Sequence, residues 1–236
     1  MKKVPLIIAH RGAMDFAPEN TMKSFALAYA QGADGVELDI YLTRDKHLVV
    51  VHDDDLMRLG NSSLKVKKST LADLQKVDVG EGEKVPSLDS VFEEFGQKFS
   101  IINVEIKSES PRTDGIEKKL AELINHYGLS EKILVSSFNP LALLRMKELA
   151  PNVKRGYLMS SANRYFHQEY WMKKGEFYSF HLDCHWRPPG ILSRIKKYSE
   201  RIWLWPVKNK GDLKGWENVE AVITSNPLLL KTEFGN

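Results

Sequence analysis

Short apolar runs rich in β-forming residues alternate with amphipathic stretches along the 236 residues of this chain. This alternation indicates repeated βα units, in which successive strands lie parallel in one sheet. Eight such runs are present, the number that closes a parallel sheet into a barrel, and the length is normal for one barrel. The sequence therefore predicts an α/β fold, a (β/α)8 TIM barrel, as a single domain over residues 1–236. The predicted strands are residues 4–9, 35–40, 101–106, 133–137, 154–158, 178–182, 201–205 and 221–224.

A further apolar run, residues 48–51, does not fit this alternation. It follows the second predicted strand too closely for the helix that a parallel crossover requires. We therefore predict that it folds back on that strand as an antiparallel hairpin, with the turn near residues 44–46. In that register His52 lies roughly opposite Leu38 and Asp39.

The segment of residues 54–99 is polar and much longer than an ordinary βα loop. We predict that it is a small insertion rather than a second domain. A barrel opens its active site at the carboxyl ends of its strands, and His52 leads directly into this segment. The insertion is therefore expected to lie over the active site.

Glu37 and Asp39 lie on one face of the second predicted strand, because side chains alternate along a strand. Two carboxylates on an otherwise apolar barrel strand repel each other and are costly to bury unless a cation compensates them. Glu105, at the end of the neighbouring strand, supplies a third oxygen ligand. Oxygen ligands without a cysteine or a His-x-His pair favour Mg²⁺ or Ca²⁺ over zinc. The alternative is a solvated strand edge with a surface salt bridge between Glu105 and Lys107, but the two nearby histidines favour the metal site.

Five short motifs occur in order over about the first half of the chain. They are HRG at residues 10–12, PENT at residues 18–21, E-x-D at Glu37 and Asp39, HD at His52-Asp53, and E-x-K at Glu105 and Lys107. In this order the chain resembles the glycerophosphodiester phosphodiesterase family. The resemblance implies a TIM barrel of the phospholipase-C-like phosphodiesterase type, with an insertion after the hairpin. It also implies metal-dependent hydrolysis of a glycerophosphodiester, a small molecule, to sn-glycerol 3-phosphate and an alcohol.

The resemblance also implies roles for individual residues. His10 is expected to act as general base, on water or on the glycerol 2-hydroxyl, and His52 as general acid, since an imidazole can serve as either near neutral pH. The remaining histidines are interpreted as structural. Arg11 and Lys107 are expected to neutralise phosphate oxygens. From the residues alone, Asn20 or Thr21 can cap the first helix, and Asn20 is expected to serve as a cap rather than to touch the substrate.

The carboxyl-terminal half matches the family pattern less well. The family usually has W-T-V-N and I-T-D at its last two strands, where this chain has Trp205-Pro206-Val207-Lys208 and Ile223-Thr224-Ser225. Trp205 is expected to form an apolar wall for the glycerol moiety, or else to belong to the barrel core. The changes at Lys208 and Ser225 bear on substrate preference more than on the chemistry.

Two other functions are compatible with the same residues. A lysophospholipase-D-like barrel would use them on lysolipids, but it would need an apolar channel, and residues 54–99 show no evident membrane-binding amphipathic helix. A non-catalytic phosphodiester-binding barrel is disfavoured because every acid-base position is filled.

Composition limits the partners of the chain. No stretch approaches the roughly 20 apolar residues of a membrane span, so no stable membrane insertion is expected. The net charge is +3, and the densest basic group, residues 194–201, lies on a predicted amphipathic helix, which favours a solvated face over a nucleic-acid site. The lone Cys184 cannot form an internal disulfide, which fits a reducing compartment and favours a cytoplasmic location.

Overall fold

The computed structural model describes residues 4–108, 110–161, 168–216 and 219–235. Its strands are β1 (Leu6–His10), β2 (Gly35–Leu42), β3 (Leu48–Val50), β4 (Asp55–Leu56), β5 (Ser62–Lys65), β6 (Ile101–Ile106), β7 (Ile133–Ser137), β8 (Lys154–Met159), β9 (Ser179–Asp183), β10 (Ile202–Trp205) and β11 (Val219–Thr224). Its helices are α1 (Met22–Ala30), α2 (Met57–Gly60), α3 (Leu71–Leu74), α4 (Leu88–Phe95), α5 (Ile116–His126), α6 (Pro140–Leu149), α7 (Gln168–Gly175), α8 (Ile191–Ile195) and α9 (Pro227–Phe234), with 3₁₀ turns at Val66–Lys68 and Lys210–Leu213.

Eight of these strands form a closed parallel barrel. β1 pairs with β2 on one side and with β11 on the other, and β6, β7, β8, β9 and β10 follow in order between them. All eight predicted strands are confirmed, and their ends differ from the predicted ones by no more than two residues. The chain is therefore a (β/α)8 TIM barrel, as the sequence predicts.

β3 folds back on the end of β2 as an antiparallel hairpin. The backbone N–H of Val51 donates to the carbonyl oxygen of Asp39 at 3.0 Å. The same register sets His52 opposite Leu38, which confirms the predicted pairing. The hairpin thus returns His52 to the strand that carries the predicted acidic residues.

Side-chain alternation gives the barrel two apolar layers. Outward-facing residues of the strands, such as Val36 and Leu38, pack with the surrounding helices in the main core. Inward-facing residues, among them Ile8, Leu134 and Trp203, form a smaller core inside the barrel. Each large apolar side chain contributes roughly 1.5–3 kcal/mol when it is fully buried. The inner core fills the barrel, which leaves its ends for a ligand site, and TIM barrels place that site at the carboxyl end of the strands.

A stacked ring pair fills the middle of the inner core. The His181 ring lies parallel to the Trp203 ring, with centroids 4.6 Å apart and planes 5° apart. His181 is fully buried, and its Nε2 is 3.0 Å from the Ser179 hydroxyl. Gly156 on the adjoining strand makes room for this ring, because a Cβ there would lie 2.4 Å from Nε2. These contacts agree with the interpretation of His181 as structural.

The helices around the barrel begin at capping residues. The Thr21 hydroxyl accepts from the backbone N–H of Ser24, and the Ser24 hydroxyl accepts from the backbone N–H of Thr21. Asn139 caps α6 by accepting from the N–H of Leu141 at 3.0 Å, with Pro140 at the first helical position. Such a cap stabilises a helix by about 1 kcal/mol. None of the described helices combines the length and hydrophobicity that a membrane crossing needs.

The segment of residues 54–99 contains two different parts. α4 packs Phe92 and Phe95 into the main core and supplies the crossover helix between β2 and β6. The preceding elements β4, α2, β5 and α3 surround a separate apolar cluster that includes Leu56 and Leu74. This cluster also contains residues of the β2–β3 hairpin, so the insertion is attached to the hairpin.

The buried ring of His181 predicts a specific loss of stability in acid. Burial lowers the pKa of His181 to about 3 from its usual 6.5. The unfolded chain therefore binds a proton that the folded chain does not, and the free energy of unfolding falls as the pH falls from 6.5 towards 3. Between about pH 7.5 and pH 5 we expect the wild-type chain to lose about 2 kcal/mol more than His181→Phe, measured by denaturant unfolding. Equal losses in the two chains would contradict this account.

Candidate active site

A cavity of about 190 Å³ lies at the carboxyl end of the barrel. Seven of the eight predicted site residues line it, and the eighth, Asp39, is buried against two of them. The seven are His10, Arg11, Glu37, His52, Glu105, Lys107 and Trp205. The structure thus brings together all the residues that the sequence selected from distant parts of the chain.

Three carboxylates form an acidic centre beside the cavity. The register of β2 and β6 sets Asp39 beside Glu105, with Glu37 one inward-facing position earlier on β2. Each residue offers an oxygen within 4.8 Å of the other two. Glu37 is 2% exposed and Asp39 is 1% exposed. Oε1 of Glu37 is buried without a hydrogen-bond partner in the described structure, so the acidic centre has an oxygen free for a further ligand.

Burial and repulsion give these three acids different pKa values. Burial, followed by repulsion from Asp39 and Glu105, raises the pKa of Glu37 well above its usual value. Burial also raises the pKa of Glu105, although Lys107 opposes it. For Asp39, burial favours the neutral acid, but Lys107 and Arg11 outweigh burial and hold the pKa below its usual range. A cation held by these carboxylates would offset both the burial and the repulsion that raise the pKa of Glu37.

Two basic side chains lie against the carboxylates. Nζ of Lys107 is 3.0 Å from Oε1 of Glu105 and 3.5 Å from Oδ1 of Asp39. Nε of Arg11 is 3.3 Å from Oδ2 of Asp39, without the alignment of a hydrogen bond. The backbone N–H of Arg11 donates to Oε2 of Glu37 at 3.0 Å. Two positive charges thus face three acidic groups, which leaves a negative excess when all three are ionised.

The two histidines of the cavity have different surroundings. Nε2 of His10 is 3.9 Å from Oε2 of Glu37. Burial, reinforced by Arg11, lowers the pKa of His10 to about 4, so its ring is neutral at pH 7 and can accept a proton. The His52 side chain is 31% exposed, and its Nδ1 is 2.7 Å from Oδ1 of Asp53. When Nδ1–H donates to this carboxylate, Nε2 is the ring nitrogen left for proton transfer.

Asn20 does not have the predicted position. Of the two residues predicted as possible caps, Thr21 caps α1, so the prediction is confirmed for Thr21 and the expectation that Asn20 serves as a cap is wrong. The Asn20 amide is buried against Asp39 instead: Nδ2 donates to Oδ2 at 2.9 Å, and Oδ1 accepts from the Asp39 backbone N–H at 3.4 Å. The backbone of Asn20 is left-handed (φ 57°), a conformation that Asn adopts more readily than most residues. Both residues suit a cap by type, and sequence alone does not choose between them.

An ion-pair network that the sequence did not predict lies beside the cavity, where Arg58 contacts Glu19 and Asp53. Glu19 belongs to the PENT motif and could have been found from it, whereas the position of Arg58 carries no recognisable signal. Lys208 and Ser225, which depart from the family pattern, are not among the described residues that line the cavity.

Most residues on one side of the cavity were not predicted from the sequence as site residues. Phe138 stands edge-to-face against Trp205, with ring centroids 5.7 Å apart and planes at 82°. Leu158 and Ile223 add aliphatic surface. Asn103 of β6 is 1% exposed, and in the described structure its Oδ1 and the Nε1 of Trp205 are buried without hydrogen-bond partners. Trp205 thus lines the cavity and also packs against the inner core, and this side of the cavity offers both apolar surface and unpaired polar atoms.

Known proteins share this sequence pattern and this fold. The model of the glycerophosphoryl diester phosphodiesterase family matches residues 10–228. A glycerophosphodiester phosphodiesterase of Caldanaerobacter subterraneus subsp. tengcongensis is 37% identical over 232 residues, which cover 94% of each chain.

Solved structures agree with the match in sequence. A phosphodiesterase of Oleispira antarctica, in complex with the product sn-glycerol-3-phosphate, is 27% identical with a TM-score of 0.84 over 99% of this chain and 98% of its own. A glycerophosphodiester phosphodiesterase of Thermotoga maritima is 27% identical with a TM-score of 0.79, over 97% of this chain and 98% of its own. Matches over nearly the whole length in sequence and in fold show that the chain belongs to the glycerophosphodiester phosphodiesterase family of enzymes.

Proposed function

We propose that this chain is a metal-dependent glycerophosphodiester phosphodiesterase that releases sn-glycerol 3-phosphate and an alcohol. The observation that carries the proposal is the meeting of Glu37, Asp39 and Glu105 within 4.8 Å of one another. These acids lie beside Arg11 and Lys107, two cations suited to a phosphate. Membership of the family supports the reaction, as does the product bound to the Oleispira antarctica relative.

The acidic centre suits a divalent cation. Its donors are carboxylate oxygens, which hard ions such as Mg²⁺ and Ca²⁺ prefer. The unpaired Oε1 of Glu37 gives such an ion a free donor, and the negative excess gives it a charge to balance. Glu37, Asp39 and Glu105 would hold the ion, which when bound polarises the phosphoryl oxygens.

The remaining side chains divide the chemistry among them. Arg11 and Lys107 bind phosphate oxygens and stabilise the charge that they carry during cleavage. Neutral His10 removes the proton of the attacking oxygen, which belongs to water or to the glycerol 2-hydroxyl. His52 gives a proton to the departing alkoxide, and Asp53 holds its Nδ1 so that the ring keeps one orientation.

The side of the cavity formed by Asn103, Leu158, Trp205 and Ile223 suits the glycerol moiety of the substrate. A glycerol chain presents both C–H groups and hydroxyls. Trp205, Leu158 and Ile223 offer apolar surface to the C–H groups. The Asn103 amide and the indole N–H of Trp205 offer hydrogen bonds that they do not make within the described protein. A hydroxyl group of the substrate satisfies these buried polar atoms, which are costly to leave unpaired.

We also propose that residues 1–236 form one domain with its insertion within residues 54–99, and that the enzyme works in the cytoplasm on a small-molecule substrate. The buried, unpaired Cys184 supports a reducing compartment.

Removal of the cation should abolish activity. We expect the protein to lose its activity on glycerophosphocholine in the presence of a chelator. Added Mg²⁺ or Ca²⁺ should restore this activity, because an all-oxygen site exchanges its ion readily. Glu37→Gln should raise the metal concentration needed for half-maximal activity, whereas Glu81→Gln, at an exposed ion pair with Lys23, should not. Full activity in a protein shown to be metal-free by elemental analysis would contradict the proposal that the enzyme depends on a metal.

Loss of the proposed acid should slow turnover without weakening substrate binding. We expect His52→Ala to lower kcat by roughly 10² or more, since a positioned proton donor contributes that much. His47→Ala is the matched control, because His47 is an exposed histidine on the same hairpin. Steady-state kinetics of both variants measure the effect. A His52→Ala chain with the wild-type kcat would remove His52 from the mechanism.

Asn20 should act on the metal through Asp39. We expect Asn20→Ala to weaken metal affinity roughly tenfold or more, because groups that orient a ligand have effects of this size. Thr21→Ala is the control: it removes the α1 cap and costs about 1 kcal/mol of stability, but it leaves Asp39 in place. Metal titrations followed by calorimetry separate the two effects. Equal metal affinities in the two variants would show that Asn20 is only structural.

A further inference from the structure

Arg58, in α2 of the insertion, is the centre of an ion-pair network beside the cavity. Its Nε donates to Oδ2 of Asp53 at 2.7 Å, and its Nη1 and Nη2 donate to the two oxygens of Glu19 at 2.8 Å each. Two such contacts between a guanidinium and one carboxylate fix direction as well as distance. Arg58 therefore holds two carboxylates at the same time.

Each of these carboxylates also contacts a residue that lines the cavity. Oδ1 of Asp53 is 2.7 Å from Nδ1 of His52. Oε1 of Glu19 accepts from Nη1 of Arg11 at 2.8 Å. The network is therefore continuous from His52 through Arg58 to Arg11, although these residues come from the hairpin, the insertion and the end of β1.

We propose that Arg58 is a positioning residue, which orients the general acid His52 through Asp53 and the phosphate-binding Arg11 through Glu19. This inference rests on the proposed function. It gives the insertion a part in catalysis although no described residue between 54 and 99 lines the cavity. Arg58 itself does not touch the reacting atoms.

The exposure of these side chains distinguishes a role of Arg58 in orienting the site from a role in stabilising the fold. The Arg58 side chain is 48% exposed, whereas that of Glu19 is 8% exposed. Glu19 keeps its ion pair with Arg11 when Arg58 is removed, and the half-exposed guanidinium of Arg58 adds little to stability, so we expect Arg58 variants to fold. Without Arg58, however, the side chain of Asp53 keeps, among the described residues, only the contact to the ring that it orients, and the two side chains can turn together. His52 then loses its fixed direction towards the leaving group.

The direction of His52 matters in one bond-breaking step. As the P–O bond to the alcohol breaks, its electron pair stays on the leaving oxygen, and His52 transfers the Nε2 proton to that oxygen. A choline alkoxide needs this proton to depart, whereas p-nitrophenolate departs without it. A misplaced His52 should therefore slow the cleavage of a choline ester much more than that of a nitrophenyl ester.

The test compares wild type with Arg58→Met on glycerophosphocholine and on the p-nitrophenyl ester of sn-glycerol 3-phosphate. Methionine keeps an unbranched side chain and removes the guanidinium. We expect kcat for glycerophosphocholine to fall roughly tenfold or more, and kcat for the nitrophenyl ester to stay within about threefold. KM should rise for both esters because Glu19, to which Arg11 donates, is no longer held in place by Arg58. Arg58→Lys keeps the positive charge but cannot bind two carboxylates as a guanidinium does. Its kcat for glycerophosphocholine should lie between those of wild type and Arg58→Met.

Lys65→Met is the matched control, since Lys65 is 47% exposed and lies 2.7 Å from Asp55 in the same insertion. It should behave as wild type on both esters, and circular dichroism with thermal unfolding shows whether each variant is folded. An equal fall of kcat for the two esters, or no fall for glycerophosphocholine, would overturn the positioning role while the wild-type activity stands. A wild-type chain that cleaves neither ester would overturn the proposed function and this inference with it.

Discussion

The burial of three acidic side chains in one small volume is the constraint on which the site depends. Asp39 and Glu105 lie side by side because β2 and β6 are neighbours in the barrel, so they cannot separate without breaking the sheet. Taking a charged group out of water costs several kcal/mol, and like charges add to this cost. Arg11, Lys107 and the amide of Asn20 offset part of it. When all three acids are ionised, the two cations leave one negative charge unbalanced, which suits a divalent cation.

The barrel separates stability from chemistry along its axis. The inner core around Trp203 fills the barrel and contains a histidine without a role in the proposed reaction. The strand ends and the hairpin carry the polar groups, where side chains can reach a ligand without disturbing the core. The unfavourable free energy of burying like charges therefore arises at the carboxyl end of the barrel. The apolar packing in the rest of the barrel stabilises the fold.

Strand periodicity explains how much the sequence could predict. Glu37 and Asp39 share a face by alternation alone, and the short spacing before residues 48–51 fixed the hairpin that carries His52. The position of Asn20 depends on a left-handed backbone that residue type permits but does not require. Arg58 lies 39 residues from Glu19, and no periodicity links them. Contacts of this kind depend on how the insertion folds back, which local patterns do not encode.

The contact between Gly156 and His181 makes two positions share one volume. A methyl group at position 156 would overlap the imidazole, and that ring cannot move aside because Trp203 lies parallel to it. A related chain with a residue larger than glycine at position 156 must therefore carry a residue smaller than histidine at position 181. The pair should exchange size in opposite directions among relatives, as residues do when packing rather than catalysis selects them.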